Sequence, residues 1–111
     1  MKTINIATQF SNRLVNRDEH QGDGKFNALE FRSLYLSELE NEDKWKNDDP
    51  EIELDFSGIE KLGPSFANEA FAFFAKFSTP EKILKKIRMV NISPVKLETI
   101  FIELRDGYWK K

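Results

Sequence analysis

Residues 51–71 read EIELDFSGIEKLGPSFANEAF, and their hydrophobic pattern changes period once. From Glu51 to Ser57 the residues alternate. Ile52, Leu54 and Phe56 point one way, while Glu51, Glu53 and Asp55 point the other. That is the two-residue repeat of a strand with one buried face. Ser57-Gly58 ends the strand. After Gly63-Pro64 a helix is expected, with Ser65 as its N-cap. It carries Phe66, Ala67, Ala70, Phe71, Phe73, Phe74 and Phe77, and only Asn68, Glu69 and Lys76 are polar. A helix apolar on nearly every side is either central to its domain or covered by another chain.

On the N-terminal side, Ile4 and Ile6 alternate with polar residues and predict a short first strand. Residues 16–25 (NRDEHQGDGK) read as a polar loop. Asn27 is placed to cap a helix, with Glu30 three residues on and Phe26 and Phe31 at the two staple positions. That helix is predicted to run to about Glu42, burying Phe31, Leu34, Tyr35 and Leu39. The charged linker 41–50 (NEDKWKNDDP) follows, and its lone Trp45 is expected to fold back onto the domain.

On the C-terminal side, Thr79-Pro80 and Ser93-Pro94 each read as a cap followed by Pro at the first helical position. The first of these helices ends near Lys86, and Ile87 to Ile92 follow as a strand. The last helix turns Leu97, Ile100, Phe101 and Leu104 to one side and stops at Asp106-Gly107. Helices between strands predict an α/β fold of one domain, residues 1–111. The expected sheet is small, mixed and partly parallel. Its helices lie mainly on one face, because Glu51, Glu53 and Asp55 need solvent on the other.

Composition narrows the chemistry. A chain of 111 residues with 40% hydrophobic and 32% charged residues can build a globular core. Seventeen basic and nineteen acidic residues are interspersed, with no basic stripe, so nucleic acid is not expected as a partner. The run Lys82, Lys85, Lys86 and Arg88 reads as a solvated helix face. There is no Cys, which removes disulfides, thiolate zinc sites and thiol catalysis. One His excludes a multi-His metal site. Asp18, Glu19, His20 and Asp23 fit no calcium-loop spacing, so no metal is expected. Neither a signal peptide nor a membrane span is readable, and a cytoplasmic protein is expected. No nucleophile elbow or phosphate-binding loop appears, and no catalytic residue is assigned. Glu53 and Asp55 read as an outer strand face rather than an acid–base pair.

The stretch from Ile52 to Phe71 resembles the STAS-like family of small prokaryotic proteins. The residues that carry this are Asp55, Gly58, Gly63, Ser65, Phe66, Glu69, Ala70 and Phe71, together with the helix start Asn27 to Arg32 (NALEFR). A more remote similarity links it to the STAS domains of anti-sigma factor antagonists. There the strand-to-helix turn carries Asp-Ser-Ser-Gly, and a partner kinase phosphorylates the second Ser. Ser65 falls at that position, with Gly63, Pro64 and Phe66 departing from the pattern.

The resemblance implies a non-enzymatic regulatory interaction domain with a protein partner, a kinase-like ATPase of the anti-sigma type. Ser65 is then the candidate phosphoacceptor, and Gly63, Asn68 and Glu69 the candidate partner surface. No cofactor is implied. Two other readings stay open: a small-ligand or nucleotide-binding domain with an anion at the Ser65 helix start, and a structural subunit whose Phe-rich helix is buried in a homo-oligomer.

Overall fold

The computed structural model describes residues 1–18 and 26–108. Three strands, β1 (Lys2–Asn5), β3 (Ile52–Asp55) and β5 (Ile87–Val90), form a sheet in the order β1-β3-β5. Both pairings are parallel, where a mixed sheet was expected. A second parallel ladder joins β2 (Arg13–Leu14) to β4 (Lys61–Leu62). Two residues per strand are too few for a readable alternation, which is why the sequence did not show it.

The register explains which face is wet. Ile4, Leu54 and Met89 lie side by side on the face toward the helices, and Ile52 stands beside Ile87. On the other face Thr3, Glu53 and Arg88 are neighbours, and the Thr3 hydroxyl donates to Glu53 at 3.3 Å. Glu51, Glu53 and Asp55 are half-buried rather than dry, as their charge requires. Asp55 ties the strand ends together: its Oδ1 accepts from the Ser57 backbone N–H at 2.9 Å and from Asn91 Nδ2 at 3.1 Å. These bonds, the Ser57 backbone one first, hold its carboxyl below the usual range. The next turn needs Gly58 twice over. Its φ is +82°, and a Cβ there would meet Ala7 Cβ at 3.3 Å.

A short helix α1 (Ile6–Gln9) follows β1, and α2 (Ala28–Phe31) starts at the expected cap, with Asn27 Oδ1 accepting from the Glu30 N–H at 2.8 Å. Phe26 and Phe31 both meet Phe10 edge-on, at 5.8 and 5.3 Å. The long helix expected to Glu42 is not continuous. A π turn occupies Arg32–Leu36, and 3-10 turns follow at Ser37–Leu39 and Glu42–Trp45. The wider turn rotates the pattern, so Arg32 and Leu36 point inward and Leu34, expected inside, is 54% exposed.

The core helix α3 (Pro64–Ala70), the 3-10 turn Ala72–Lys76, α4 (Pro80–Lys86) and α5 (Pro94–Asp106) complete the chain. Thr79 and Ser93 cap α4 and α5, each with Pro at the first helical position, and Gly107 ends α5 at φ 87°. Phe66, Phe71 and Phe74 are all fully buried within this one chain. The Phe-rich helix is therefore central, with Phe73 and Phe77 partly buried beside it. Trp45 folds back as expected, stacked parallel on Phe77 at 6.1 Å, with Nε1 donating to the Leu39 carbonyl at 2.8 Å. Lys86 departs from the expected solvated face. It is buried, and its Nζ donates to Asn47 Oδ1 at 2.9 Å, fastening the charged linker.

Candidate functional site

The β2–β4 ladder feeds directly into α3. The Gly63 N–H donates to the Leu14 carbonyl at 2.8 Å and so fixes where the chain leaves the ladder. Gly63 is the N-cap, extended at φ −98° and ψ 158°, and Pro64 holds the first helical position. Ser65 is thus one residue inside the helix and does not cap it. Pro supplies a preset φ and has no N–H to satisfy, so the helix begins two residues earlier than expected, with no side-chain cap. Ser65 is half-buried, and its hydroxyl makes no hydrogen bond with the described residues. Pro64 beside it is exposed. At seven residues, α3 is too short for its dipole to carry an anion site unaided.

One turn further on, two of the residues expected on a partner surface are interior. Asn68 is fully buried and Glu69 is 2% exposed. A buried carboxylate needs counter-charge and donors, and three other segments of the chain supply them. Arg17 Nη1 reaches Glu69 Oε1 at 3.3 Å and Asn68 Oδ1 at 3.2 Å. Arg32 Nη1 donates to Glu69 Oε2 at 2.7 Å and to the Glu69 carbonyl. The Tyr108 hydroxyl donates to Oε2 at 2.6 Å. Asn68 Nδ2 turns the other way, to Glu103 Oε1 at 3.2 Å and the Gly107 carbonyl at 2.8 Å. The Arg32 guanidinium also lies 3.8 Å above the Phe73 ring. Burial first, and then the Glu69 carboxylate, push the Tyr108 hydroxyl above its usual pKa.

Of the candidate residues, Gly63 and Ser65 share the surface turn, while Asn68 and Glu69 belong to an internal lock. Arg17, Arg32 and Tyr108 were missed as the partners of Glu69. A signal for them was present: an Asn-Glu pair inside an otherwise apolar helix cannot face the core without cations nearby.

The turn has company on the surface. Arg13 pairs in register with Lys61, so both side chains leave the ladder on the same side, opposite Leu14 and Leu62. Both are exposed, and neither forms an ion pair among the described residues. Glu60, next in sequence, is engaged by Asn12 Nδ2 at 2.9 Å. A cleft of about 210 Å³ lies elsewhere, lined by Lys2, Tyr35, Glu38, Leu39, Glu51 and Ile52. It shares no residue with the turn.

Of the loop considered for a metal, Glu19, His20 and Asp23 lie outside the described residues. Among the described residues no group of three His, Cys, Asp or Glu is placed to hold a metal ion. No helix of the described residues is long and apolar enough to cross a membrane.

No curated protein and no solved structure matches the chain. The STAS-like domain of unknown function matches residues 30–96, from the first turn of α2 to the first turn of α5. That span covers more than half of the chain and contains β3, the Gly63–Ser65 turn and all of α3. The protein belongs to the STAS-like domain family of unknown function.

Proposed function

We propose that this chain is a cytoplasmic regulatory interaction domain with no catalytic chemistry of its own. It binds a protein partner, a kinase-like ATPase of the anti-sigma type, at the Gly63–Ser65 turn. The observation that carries this reading is the state of Ser65. Its hydroxyl sits in the first turn of the central helix, beside an exposed Pro64, and takes no part in capping or in any hydrogen bond with the described residues. A polar group that does no structural work on a rigid element is suited to recognition. Phosphorylation there would add close to two negative charges to a surface that now carries none at that point. The partner surface is narrower than the sequence suggested, because Asn68 and Glu69 are interior.

Co-purification tests the reading. Tagged full-length chain recovered from its own cells should bring down an associated protein. Ser65→Asp should shed that protein and Ser65→Ala should keep it. Absence of any associated protein, with a thermal shift produced by nucleotides instead, would replace the reading with a ligand-binding one.

A further inference from the structure

We infer that the Arg13–Lys61 pair is the electrostatic half of the partner surface, and that it docks an acidic protein segment next to Ser65. This rests on the interaction reading above and adds the partner's chemistry. The register sets the two cations side by side on one face of a ladder only two residues long. Like charges in that relation repel, and such a pairing weakens the ladder it sits on. No carboxylate of the described residues pairs with either cation, and the nearest in sequence, Glu60, is held by Asn12. Elsewhere in the described residues Glu69 is met by Arg17 and Arg32, Glu51 by Lys44, and Asp43 by Lys46.

The pair is also well placed. Lys61 is two residues before Gly63, and Leu14, next to Arg13, accepts the Gly63 N–H that fixes the turn. A local electrostatic conflict with no internal compensation is expected where a binding partner completes it. Two neighbouring cations on rigid backbone present a divergent positive patch that carboxylates of an extended acidic segment can meet. An added negative charge on Ser65 would compete for the same cations, which gives the turn a means of release.

A hexaglutamate peptide titrated into the full chain, followed by amide chemical shifts, tests this. Expected are shifts at residues 13–15 and 61–65 and an affinity that falls as salt rises from about 0.05 to 0.5 M. The double variant Arg13→Gln/Lys61→Gln should weaken binding by about fivefold or more, as loss of surface charge at an interface does. Its melting temperature should be unchanged or higher, because a repulsion is relieved. A structural role for the pair would lower it. Shifts elsewhere, or a variant that binds like the wild type, would overturn the inference. So would a hexanucleotide that binds the same residues more tightly than the peptide, in favour of nucleic acid. Inorganic phosphate separates the anion from the segment: saturation by phosphate alone at the peptide's affinity also counts against it. If the double variant keeps the co-purifying protein that Ser65→Asp sheds, the cation pair fails and the interaction reading stands. If the wild type brings down no protein, the interaction reading fails, and the peptide titration still reports on the pair.

Discussion

Ser65 and Glu69 sit one helical turn apart on α3, and the fold treats them in opposite ways. Glu69 is held by two guanidiniums and a tyrosyl hydroxyl from three distant segments. Ser65 is held by nothing among the described residues. Both are polar residues in the same apolar stretch, so residue type does not separate them. Position does: at the start of the helix Pro64 is exposed and Ser65 half-buried, whereas Asn68 and Glu69 one turn on are enclosed by Arg17, Arg32, Glu103 and Tyr108. The contrast places the stabilising lock at one end of a seven-residue helix and the proposed recognition site at the other.

The largest effect should come from opening the lock. Glu69→Ala leaves Arg17 and Arg32 buried without their carboxylate, and breaking such a pair costs about 3–5 kcal/mol. A urea midpoint far below that of the wild type checks this. Phe71→Ala, at a fully buried site in the same helix, should cost a similar 3–5 kcal/mol or so. A melting temperature unchanged by Phe71→Ala would instead mark that ring as an interface residue.

Tyr108→Phe is a milder break. It removes one hydrogen bond to a charged acceptor on a half-buried side chain, so about 1–2 kcal/mol is expected. Its pH dependence is more telling. The Tyr108 pKa is raised in the folded state, so its contribution is complete below the ordinary tyrosine value near 10. It is lost as pH rises through the raised value. In the Phe variant this part of the alkaline loss of stability should vanish, which unfolding curves between neutral and strongly alkaline pH will show. Equal alkaline slopes in the two proteins would mean that the hydroxyl is not bonded to Glu69.

The smallest structural effect belongs to Ser65→Ala. Because Gly63 is the cap, the change should fall within about 0.5 kcal/mol, as surface substitutions usually do. A loss near 1 kcal/mol in the melting curve would restore Ser65 as a cap.

The same contrast shows what the sequence could disclose. Periodicity located β3, because its alternation is a local property, and the strand read from Ile87 to Ile92 is β5. Thr79-Pro80 and Ser93-Pro94 placed two helix starts correctly. Gly63-Pro64 obeys the same rule, and reading Ser65 as the cap overlooked that Pro fixes the position before it as the cap whatever residue stands there. The π turn at Arg32–Leu36 was not legible, because its evident use is tertiary: it turns Arg32 inward to Glu69 and leaves Leu34 outside. The β2–β4 ladder was hidden by its length. At the candidate site, Gly63 and Ser65 were legible from the family motif. The burial of Asn68 and Glu69 depends on residues 17, 32 and 108, which no local pattern joins to them.

Titration of the co-purifying partner against wild type, Ser65→Ala and Ser65→Asp is the most direct test of the central claim, that Ser65 is spared structural work and sets partner binding. All three proteins should melt at nearly the same temperature. Ser65→Ala should bind like the wild type, and Ser65→Asp should bind about tenfold or more weakly, a difference of about 1.4 kcal/mol. Equal affinities for the Asp and Ala variants, with no phosphate on Ser65 in protein from native cells, would contradict the account.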